Sequence, residues 1–291
     1  MQKSNHNIKT ACITGTVAKA ADRYAMDVMG LKSLTLMETA SSKIAEYVMR
    51  HDPLNGGDFQ HPEESIAASR DDGNDSECPE KTESKGRTLK ISVLCGVGNN
   101  GADGVCASRM LLGEGYQPQV YIVGNLEKAS WEFLYQLCHF QQAGGTVTMY
   151  HPDVDTANAG EAAVMATHPD SDTAADDASP FRANRLPDDD ILIDGIFGIG
   201  LHREIAGDYR AFIEEANRRR HGFVLASDAP SGINTDTGEL MGCGIKADVT
   251  ITFGRNKTGL VCGAGQNFAG RVLVEDIGIP DEAYIEAETH A

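Results

Sequence analysis

Residues 90 to 112 read Lys90-Ile-Ser-Val-Leu-Cys-Gly-Val-Gly-Asn-Asn-Gly-Ala-Asp-Gly-Val-Cys-Ala-Ser-Arg-Met-Leu-Leu112. The β-branched run from Ile91 to Leu94 predicts a buried parallel strand, and the apolar pattern from Val105 to Leu112 predicts a helix. Between them lies a G-x-G-x-x-G string, Gly96 to Gly101, whose glycines permit a tight turn and a close approach of backbone N–H groups to a phosphate. The segment therefore predicts a strand, a phosphate-compatible turn and a helix.

The turn also carries polar side chains that a plain phosphate loop does not need. Asn99, Asn100 and Asp103 follow or interrupt the glycines. A carboxylate is poorly suited to a phosphate, whereas amide and carboxylate oxygens suit ribose hydroxyls or a hard cation. The loop is therefore expected to bind more than a phosphate.

The rest of the chain alternates strands with helices. Two helices, about 17–28 and 34–49, precede the first strand, and further strands are predicted at 119–124, 146–150, 191–194, 223–227, 248–253 and 271–275. This order predicts an α/β fold of three α/β/α layers. Its sheet is doubly wound, mostly parallel and Rossmann-like, with six or seven strands and two extra N-terminal helices.

Composition bounds the class of protein. A chain of 291 residues that is 41% hydrophobic can bury a real core, and we predict a single domain over residues 12–280. Two acidic tracts, 51–87 and 151–187, are poor in large apolar residues and are predicted to be disordered insertions. They hold most of the net charge of −18, which argues against nucleic-acid binding.

Three features of the sequence indicate where in the cell the protein is expected to act. It has no run of eighteen apolar residues, so no membrane span is predicted, and its polar start from Met1 to Lys9 does not resemble a signal peptide. The seven cysteines are scattered and never form C-x-x-C, which is typical of reduced thiols. We therefore expect a cytoplasmic protein.

Three predicted strands end in polar turns: Asn99 to Asp103, Asp194 with Gly198-Ile-Gly200, and Asp228 with Ser231. Each aspartate alone could be a helix cap or a turn former. Because ligands bind outside the carboxyl ends of such strands, three of these turns together predict a binding site. A dinucleotide-dependent dehydrogenase is a weaker hypothesis, since the second strand ends at Gly124-Asn125 without the acid that holds a ribose.

Four motifs in this order resemble the YjeF N-terminal family, the NAD(P)H-hydrate epimerases. They are Gly98-Asn-Asn-Gly-Ala-Asp-Gly104, Asp194-Gly-Ile-Phe-Gly-Ile-Gly-Leu201, Asp228-Ala-Pro-Ser-Gly-Ile-Asn234 and Thr252-Phe-Gly-Arg-Asn-Lys-Thr-Gly-Leu260. Leu36-Met-Glu-Thr-Ala40 resembles the family's N-terminal helix motif. The resemblance covers about 12–50, 88–150 and 188–280, which is everything outside the two acidic tracts.

The resemblance implies a set of site residues. The substrate-binding residues would be Asn99, Asn100, Gly101, Ala102, Asp103, Gly198, Ile199, Gly200, Leu201, His202, Arg203, Glu204 and Asp228. A potassium ion would bind Asn100, Asp194 and Ser231, whose oxygens suit a hard monovalent cation. The alternative for Asp194 is that it only accepts backbone N–H bonds from the turn at 195–200. Ala102 replaces a glycine that is usual in the family, and it would be strained if its φ were positive.

The activity implied is epimerisation of the R and S forms of hydrated NADH and NADPH at C6 of the nicotinamide ring. Loss of hydroxide to an iminium, or ring opening, would scramble this centre, and either route needs an acid/base group and no redox step. Asp228 is the expected catalytic group and Lys257 is the second candidate, whose alternative is a surface turn lysine. A competing hypothesis is a non-catalytic nucleotide- or RNA-associated binding module of the same fold, in which we would expect the polar loops to be eroded.

The resemblance also implies partners. Potassium is the expected cofactor, and hydrated NADH or NADPH is the small-molecule substrate. Many relatives carry a fused dehydratase domain, whereas this chain ends at Ala291. A separate ADP- or ATP-dependent hydrate dehydratase is therefore the expected protein partner, and a homodimer is the expected assembly.

Overall fold

A computed structural model describes residues 12–59, 88–152, 182–183 and 185–290. Within them the strands are β1 (Ile91–Cys95), β2 (Gln119–Ile122), β3 (Thr146–Tyr150), β4 (Arg182–Ala183), β5 (Asp189–Gly195), β6 (His221–Ser227), β7 (Val249–Phe253) and β8 (Arg271–Glu275). They form one eight-stranded sheet in the order β4-β3-β2-β1-β5-β6-β7-β8, and every pairing is parallel. The predicted doubly wound α/β fold is confirmed, with one strand more than expected.

The helices of the described residues are α1 (Gly15–Asp27), α2 (Ser33–His51), α3 (Asn99–Gly113), α4 (Trp131–Gln142), α5 (Gly207–Asn217), α6 (Gly265–Phe268) and α7 (Asp281–His290). None of them is both long and apolar enough to cross a membrane. Two-sided burial explains the apolar run in β1. Val93 belongs to the core beneath α2, α3 and α4, and the next residue, Leu94, belongs to the core beneath α5. A strand covered on both faces cannot alternate apolar with polar residues.

Helix α7 lies beyond the predicted domain end at residue 280 and packs against α1. Ala21 and Ala25 of α1 are buried in one cluster with Ala283 and Ala287 of α7. The small side chains let the two helix backbones approach closely. The fold therefore continues to the end of the described chain, because α7 buries the otherwise exposed face of α1.

Both acidic tracts contain ordered residues at their margins, where the predicted boundaries are wrong. His51 ends α2 and stacks on Tyr47 with ring centroids 4.0 Å apart, and the buried ring of Phe59 lies 4.9 Å from that of Phe223. In the second tract, β4 pairs with β3, and Leu186 is buried. Single apolar anchors of this kind are hidden by the average composition of a window. Residues 60–87, 153–181 and 184 lie outside the described residues.

The sheet order places a switch point between β1 and β5, where the strand order changes direction. The carboxyl ends of β1, β5, β6 and β7 lie at one edge of the sheet as near neighbours. Ligands of such sheets bind outside this edge. The fold therefore gathers the loops that carry the sequence motifs.

Candidate functional site

A cavity of about 660 Å³ lies at this edge of the sheet. The predicted site residues that line it are Asn99, Asn100, Asp103, Gly198, Ile199, Gly200, Leu201, Asp228 and Lys257. The remaining predicted residues, which are Gly101, Ala102, Asp194, His202, Arg203, Glu204 and Ser231, lie outside the lining. Most predicted contacts thus meet in one cavity of ordinary ligand-binding size.

Close backbone approach explains the glycines of the first loop. A Cβ atom on Gly101 would lie 1.8 Å from the carbonyl oxygen of Gly96, and one on Gly96 would lie 2.4 Å from that of Ile196. Ala102 is buried in the first turn of α3 and does not have a positive φ. The strain expected for alanine at this position is therefore absent.

The floor of the cavity is a buried ion pair. Nζ of Lys257 lies 2.6 Å from Oδ1 of Asp228 and also donates to Oγ1 of Thr252 at 2.9 Å and to the Phe253 carbonyl at 2.8 Å. Lys257 is only 2% exposed, so the surface-lysine alternative is wrong. Its three bonds use all three donors of an ammonium group.

Asp228 has an unusual backbone. Its φ of 63° makes it the one non-glycine residue with a positive φ in the described part of the chain. Aspartate tolerates this region better than most residues, and such conformations are concentrated at functional sites. The turn directs the second carboxylate oxygen of Asp228 toward Gly198. A Cβ on Gly198 would lie 3.2 Å from that Oδ2 atom and 3.2 Å from Cγ of Asn100. Glycine thus keeps the space between Asp228 and Asn100 open.

Asp194 and Ser231 bond to each other beneath the cavity. Ser231 donates to Asp194 from its hydroxyl at 2.5 Å and from its backbone N–H at 2.7 Å, and the backbone N–H of Ile196 donates at 3.3 Å. The carboxyl group is fully buried, and this burial raises its pKa to about 6, although the bonds from Ser231 and Ile196 oppose the shift. The alternative role of Asp194, as an acceptor of backbone N–H bonds, is therefore present in the structure.

Asn100 differs from Asp194 in lacking partners. Its side-chain Oδ1 and Nδ2 atoms are buried without a hydrogen bond to any described residue. Its backbone oxygen lies 3.1 Å from the position that a Cβ on Gly195 would take, which places Asn100 beside the residue that follows Asp194. A buried amide without partners is costly unless a ligand, an ion or water satisfies it. The side chain of Asn100 therefore has atoms available to a ligand, an ion or water, whereas Asp194 and Ser231 already bond to each other.

Sequence reasoning missed the wall formed by α1. Residues Ala18, Lys19, Asp22, Arg23, Met26 and Asp27 line the cavity, and Tyr284 of α7 joins them. Their spacing of i, i+1, i+4, i+5, i+8 and i+9 marks a single helix face. The sequence does show these charged residues beside the apolar face of the helix. They were missed because only the apolar residues of this helix were considered, as members of the core.

Two carboxyl groups of the cavity hold their protons unusually well. Burial raises the pKa of Asp22 to about 6; Lys257 opposes this shift and Asp228 adds to it. Burial also raises the pKa of Asp103 well above its usual range, with further contributions from Asp228 and Asp22. Perturbed carboxyl groups gathered in one cavity are typical of acid/base sites.

Comparison with known proteins identifies the family of this chain. The model of the family described as YjeF-related protein N-terminus matches residues 33–259. The chain belongs to this family. The matched range includes the cavity loops that follow β1, β5, β6 and β7. It begins after α1 and ends before Ile277 and Tyr284, so it does not include the charged wall that α1 contributes.

Relatives of this chain are named NAD(P)H-hydrate epimerase. One from Limosilactobacillus fermentum is 34% identical over 266 residues, covering 91% of this chain and 95% of that protein. One from Oenococcus oeni is 32% identical over 203 residues, covering 69% of this chain and 81% of that protein. The crystal structure of the yeast protein ynu0 has a TM-score of 0.60 at 19% identity, covering 91% of this chain and 88% of that one. This likeness supports the fold.

Proposed function

We propose that this protein is an NAD(P)H-hydrate epimerase, an isomerase that interconverts the R and S forms of hydrated NADH and NADPH at C6 of the nicotinamide ring. The observation that carries the proposal is the buried pair of Asp228 and Lys257 at the floor of a cavity built from the family's motif loops. A binding module would not need a strained, ion-paired carboxylate at that position. The pair therefore favours the enzyme over the non-catalytic module.

The hydrogen bonds divide the roles of these two residues. Lys257 donates all its protons to protein acceptors, so it holds Asp228 in place and has none left for the substrate. Oδ2 of Asp228 points toward Gly198 and the cavity. Asp228 is thus the acid/base group of the proposal. Lys257, which was the second candidate for that role, is a positioning residue.

The reaction needs proton transfer and no redox step. A protonated carboxyl group gives its proton to the C6 hydroxyl, the C–O bond breaks as water leaves, and the ring nitrogen's lone pair forms an iminium. Water then adds to C6 from the other face and gives a proton to a carboxylate. Substrate and product differ only in configuration, so atoms and electrons balance. A positioned acid/base group typically contributes about 10²–10⁴-fold to such a step.

Anionic parts of the substrate have suitable contacts at the rim. The amino end of α3 opens at Gly98 and Asn99 in the cavity wall, and a helix amino end favours phosphate. Lys19 and Arg23 are exposed on the facing side of α1. These groups would offset the pyrophosphate charge in a protein that is acidic overall.

Potassium is proposed as the ion that joins the strand-end loops. It would be held by Asn100, Asp194 and Ser231, and its charge would compensate the buried Asp194 carboxylate, whose hydrogen-bond donors are all neutral. The unpartnered Asn100 amide supports this assignment. The ion would thereby hold the Asn100 loop in register with Gly198 and Asp228.

Three further parts of the proposal rest on the family resemblance. The protein would act in the cytoplasm, form a homodimer, and share its substrate with a separate ADP- or ATP-dependent hydrate dehydratase. Light scattering of the purified protein tests the dimer, since a monomeric mass would contradict it.

The activity is tested with the purified protein and the separated R and S forms of hydrated NADH. We expect each form to convert to the other far faster than in buffer, and Asp228→Asn to abolish conversion while retaining substrate binding in calorimetry. The matched control is Asp208→Asn, which changes an exposed aspartate at the start of α5, outside the cavity. No conversion by the parent, together with tight RNA binding, would instead establish the binding module.

A further inference from the structure

We infer that Asp22 of α1 is a second acid/base group, which serves the face of the nicotinamide ring opposite to the face served by Asp228. The inference rests on the proposed epimerase function and adds a residue that lies outside the range matched by the family model. In the cavity, α1 supplies one wall and the strand ends supply another.

Epimerisation through an iminium needs proton transfer on both faces of the ring. Hydroxide departs from one face and water arrives on the other, so a single fixed carboxylate reaches only half of the reaction. Asp228 is fixed, because its Oδ1 accepts bonds from Lys257 at 2.6 Å, from the Thr252 hydroxyl at 3.3 Å and from the Phe253 N–H at 3.3 Å. A carboxylate held this firmly cannot follow the hydroxyl to the other face.

Helix α1 is anchored to the segment that carries the ion pair. The backbone N–H of Ile13 donates to Asn256 at 2.9 Å, and that of Thr258 donates to Ile13 at 2.8 Å, so residue 13 pairs with the chain on both sides of Lys257. Thr16 binds the Asp236 carboxylate from its N–H at 3.0 Å and its hydroxyl at 2.6 Å. These bonds set the distance between the α1 wall and the floor of the cavity. The helix that carries Asp22 is thus fixed relative to the floor, which sets the wall from which its side chain reaches the cavity.

The Asp22 carboxyl group lines the cavity and accepts no hydrogen bond from any described residue. The groups that face it electrostatically are Lys257, Asp228, Asp103 and Tyr284. A carboxylate with a purely structural role would be expected to have donors. The free carboxyl group of Asp22 is therefore available to a ligand.

Protonation agrees with a dual role. Burial raises the pKa of Asp22 to about 6, against the attraction of Lys257, so both of its forms are populated near neutral pH. Such a group can give a proton to a leaving hydroxyl in one direction and accept one from water in the reverse direction. On its own helix the neighbouring charges are Lys19 and Arg23, both of which are exposed at the rim.

The proposed step is balanced. In one direction protonated Asp22 gives its proton to the C6 hydroxyl, water leaves, and the ring nitrogen's lone pair forms the iminium. A second water adds from the opposite face, forms the new C–O bond and gives its proton to the Asp228 carboxylate. In the reverse direction the two carboxyl groups exchange roles, and both are reset by proton exchange with solvent.

The experiment measures epimerisation and isotope exchange separately. The parent, Asp22→Asn and Asp228→Asn proteins are each incubated with pure R or pure S hydrated NADH in H₂¹⁸O. The conversion between epimers and the ¹⁸O content of each epimer are then followed over time. A carboxyl group on one face can still expel the hydroxyl of one epimer and return labelled water to that same face. We therefore expect each variant to epimerise at least about 100-fold more slowly than the parent, to exchange label into one epimer only, and to do so into opposite epimers.

The outcomes separate this inference from the proposed function. A parent without epimerase activity overturns the proposed function itself. If the parent is active, any of three results for Asp22→Asn overturns the inference. They are epimerisation at the parental rate, no ¹⁸O exchange into either epimer, and exchange into the same epimer as Asp228→Asn. The Asp208→Asn control described above is expected to match the parent in both measurements.

A structural role for Asp22 is tested by melting temperature. Because folding raises the pKa of Asp22 from 3.8 to about 6, the folded state loses stability as pH rises from about 4 to about 6. Asp22→Asn should then melt at or above the parental temperature at pH 8 and close to it at pH 4. A variant that melts well below the parent at pH 8 would assign Asp22 to the structure and overturn the inference.

Discussion

Nζ of Lys257 lies 2.6 Å from Oδ1 of Asp228, and neither side chain is more than 12% exposed. The two residues belong to different family motifs, one after β6 and one after β7. Lys257, which the sequence alone could place in an exposed turn, is therefore the buried counter-ion of Asp228, whose backbone φ is positive. An ion pair in this position is expensive to break, because removing one partner leaves the other charge buried.

The buried pair predicts a large stability loss from one substitution. Lys257→Met should lower the free energy of unfolding by about 3 kcal/mol, as measured by denaturant titration, since it strands the Asp228 carboxylate. The control is Arg210→Met, which removes an exposed pair with Glu214 of 2.8 Å and should leave the free energy of unfolding almost unchanged, because solvent screens that pair. Equal small losses in both variants would mean that the Asp228 charge is not held by Lys257.

Two glycines of α3 should respond differently to alanine. Gly101→Ala places a Cβ 1.8 Å from the Gly96 carbonyl oxygen, so the loop at 96–101 must shift. We expect lower epimerase activity and a free energy of unfolding that is smaller by about 2 kcal/mol. Gly113→Ala, at the other end of the same helix, meets nothing within 4 Å. It should be neutral or slightly stabilising, since alanine favours helix. Calorimetry measures the stability of both variants, and the epimerase assay measures their activity. Equal stability and equal activity would contradict the close approach of Gly101 to Gly96.

Salt identity tests the proposed potassium site. At equal ionic strength, potassium should raise the melting temperature more than lithium or tetramethylammonium, because only a bound ion stabilises the folded state by mass action. Asp194→Asn and Asn100→Leu should each reduce that difference. If the parent responds alike to all three salts, screening explains their effect and there is no potassium site.

The pair of His221 and Asp189 predicts a pH-dependent stability far from the cavity. Nδ1 of His221 lies 2.9 Å from Asp189 and Nε2 lies 2.8 Å from the Ala216 carbonyl, so both ring nitrogens face acceptors. Burial works against the charged ring, but these contacts outweigh it and raise the pKa of His221. A raised pKa means that the stabilisation is present below pH of about 6.5 and is lost as pH rises through the folded pKa.

His221→Gln should therefore lower the melting temperature more at pH 6 than at pH 9. The control is His290→Gln, which removes an exposed pair with Glu286 at the end of α7. It should show no such difference. A pH-independent loss for His221→Gln would indicate that the ring contributes packing alone.

The acidic tracts should be dispensable outside their ordered margins. From composition alone, we expect residues 60–87 and 153–181 to offer too little apolar surface to offset the entropy of ordering them. Replacing both with short Gly/Ser linkers should leave activity unchanged and the melting temperature within about 8 °C of the parent. Extending the first deletion to residues 51–87 removes Phe59, which is 7% exposed. This should lower the free energy of unfolding by about 3 kcal/mol or more. Equal melting temperatures for the two deletions would contradict the packing of Phe59.

The sequence by itself determined the fold class and the loops of the site. Apolar runs such as Ile191 to Ile193 indicate burial on both faces of a sheet, and glycines such as Gly101 indicate close backbone approach, so both can be recognised from a few neighbouring residues. The order of these local signals then limits the topology, because parallel strands joined by helices place their carboxyl ends at one edge. This is why Asn100, Asp103, Gly198 and Asp228 could be predicted to lie near one another.

The tertiary structure alone decided the surroundings of each candidate catalytic group. Lys257 and Asp228 could each be read as a catalytic group until their distance and the three bonds of the ammonium were known. Asp22 had no motif at all, and its position in the cavity depends on the pairing of residue 13 with the segment around Lys257. Hydrogen-bond partners and desolvation come from residues that are distant in sequence and adjacent only in the folded chain. The chemical state of a carboxyl group is therefore set by packing, which no local pattern records.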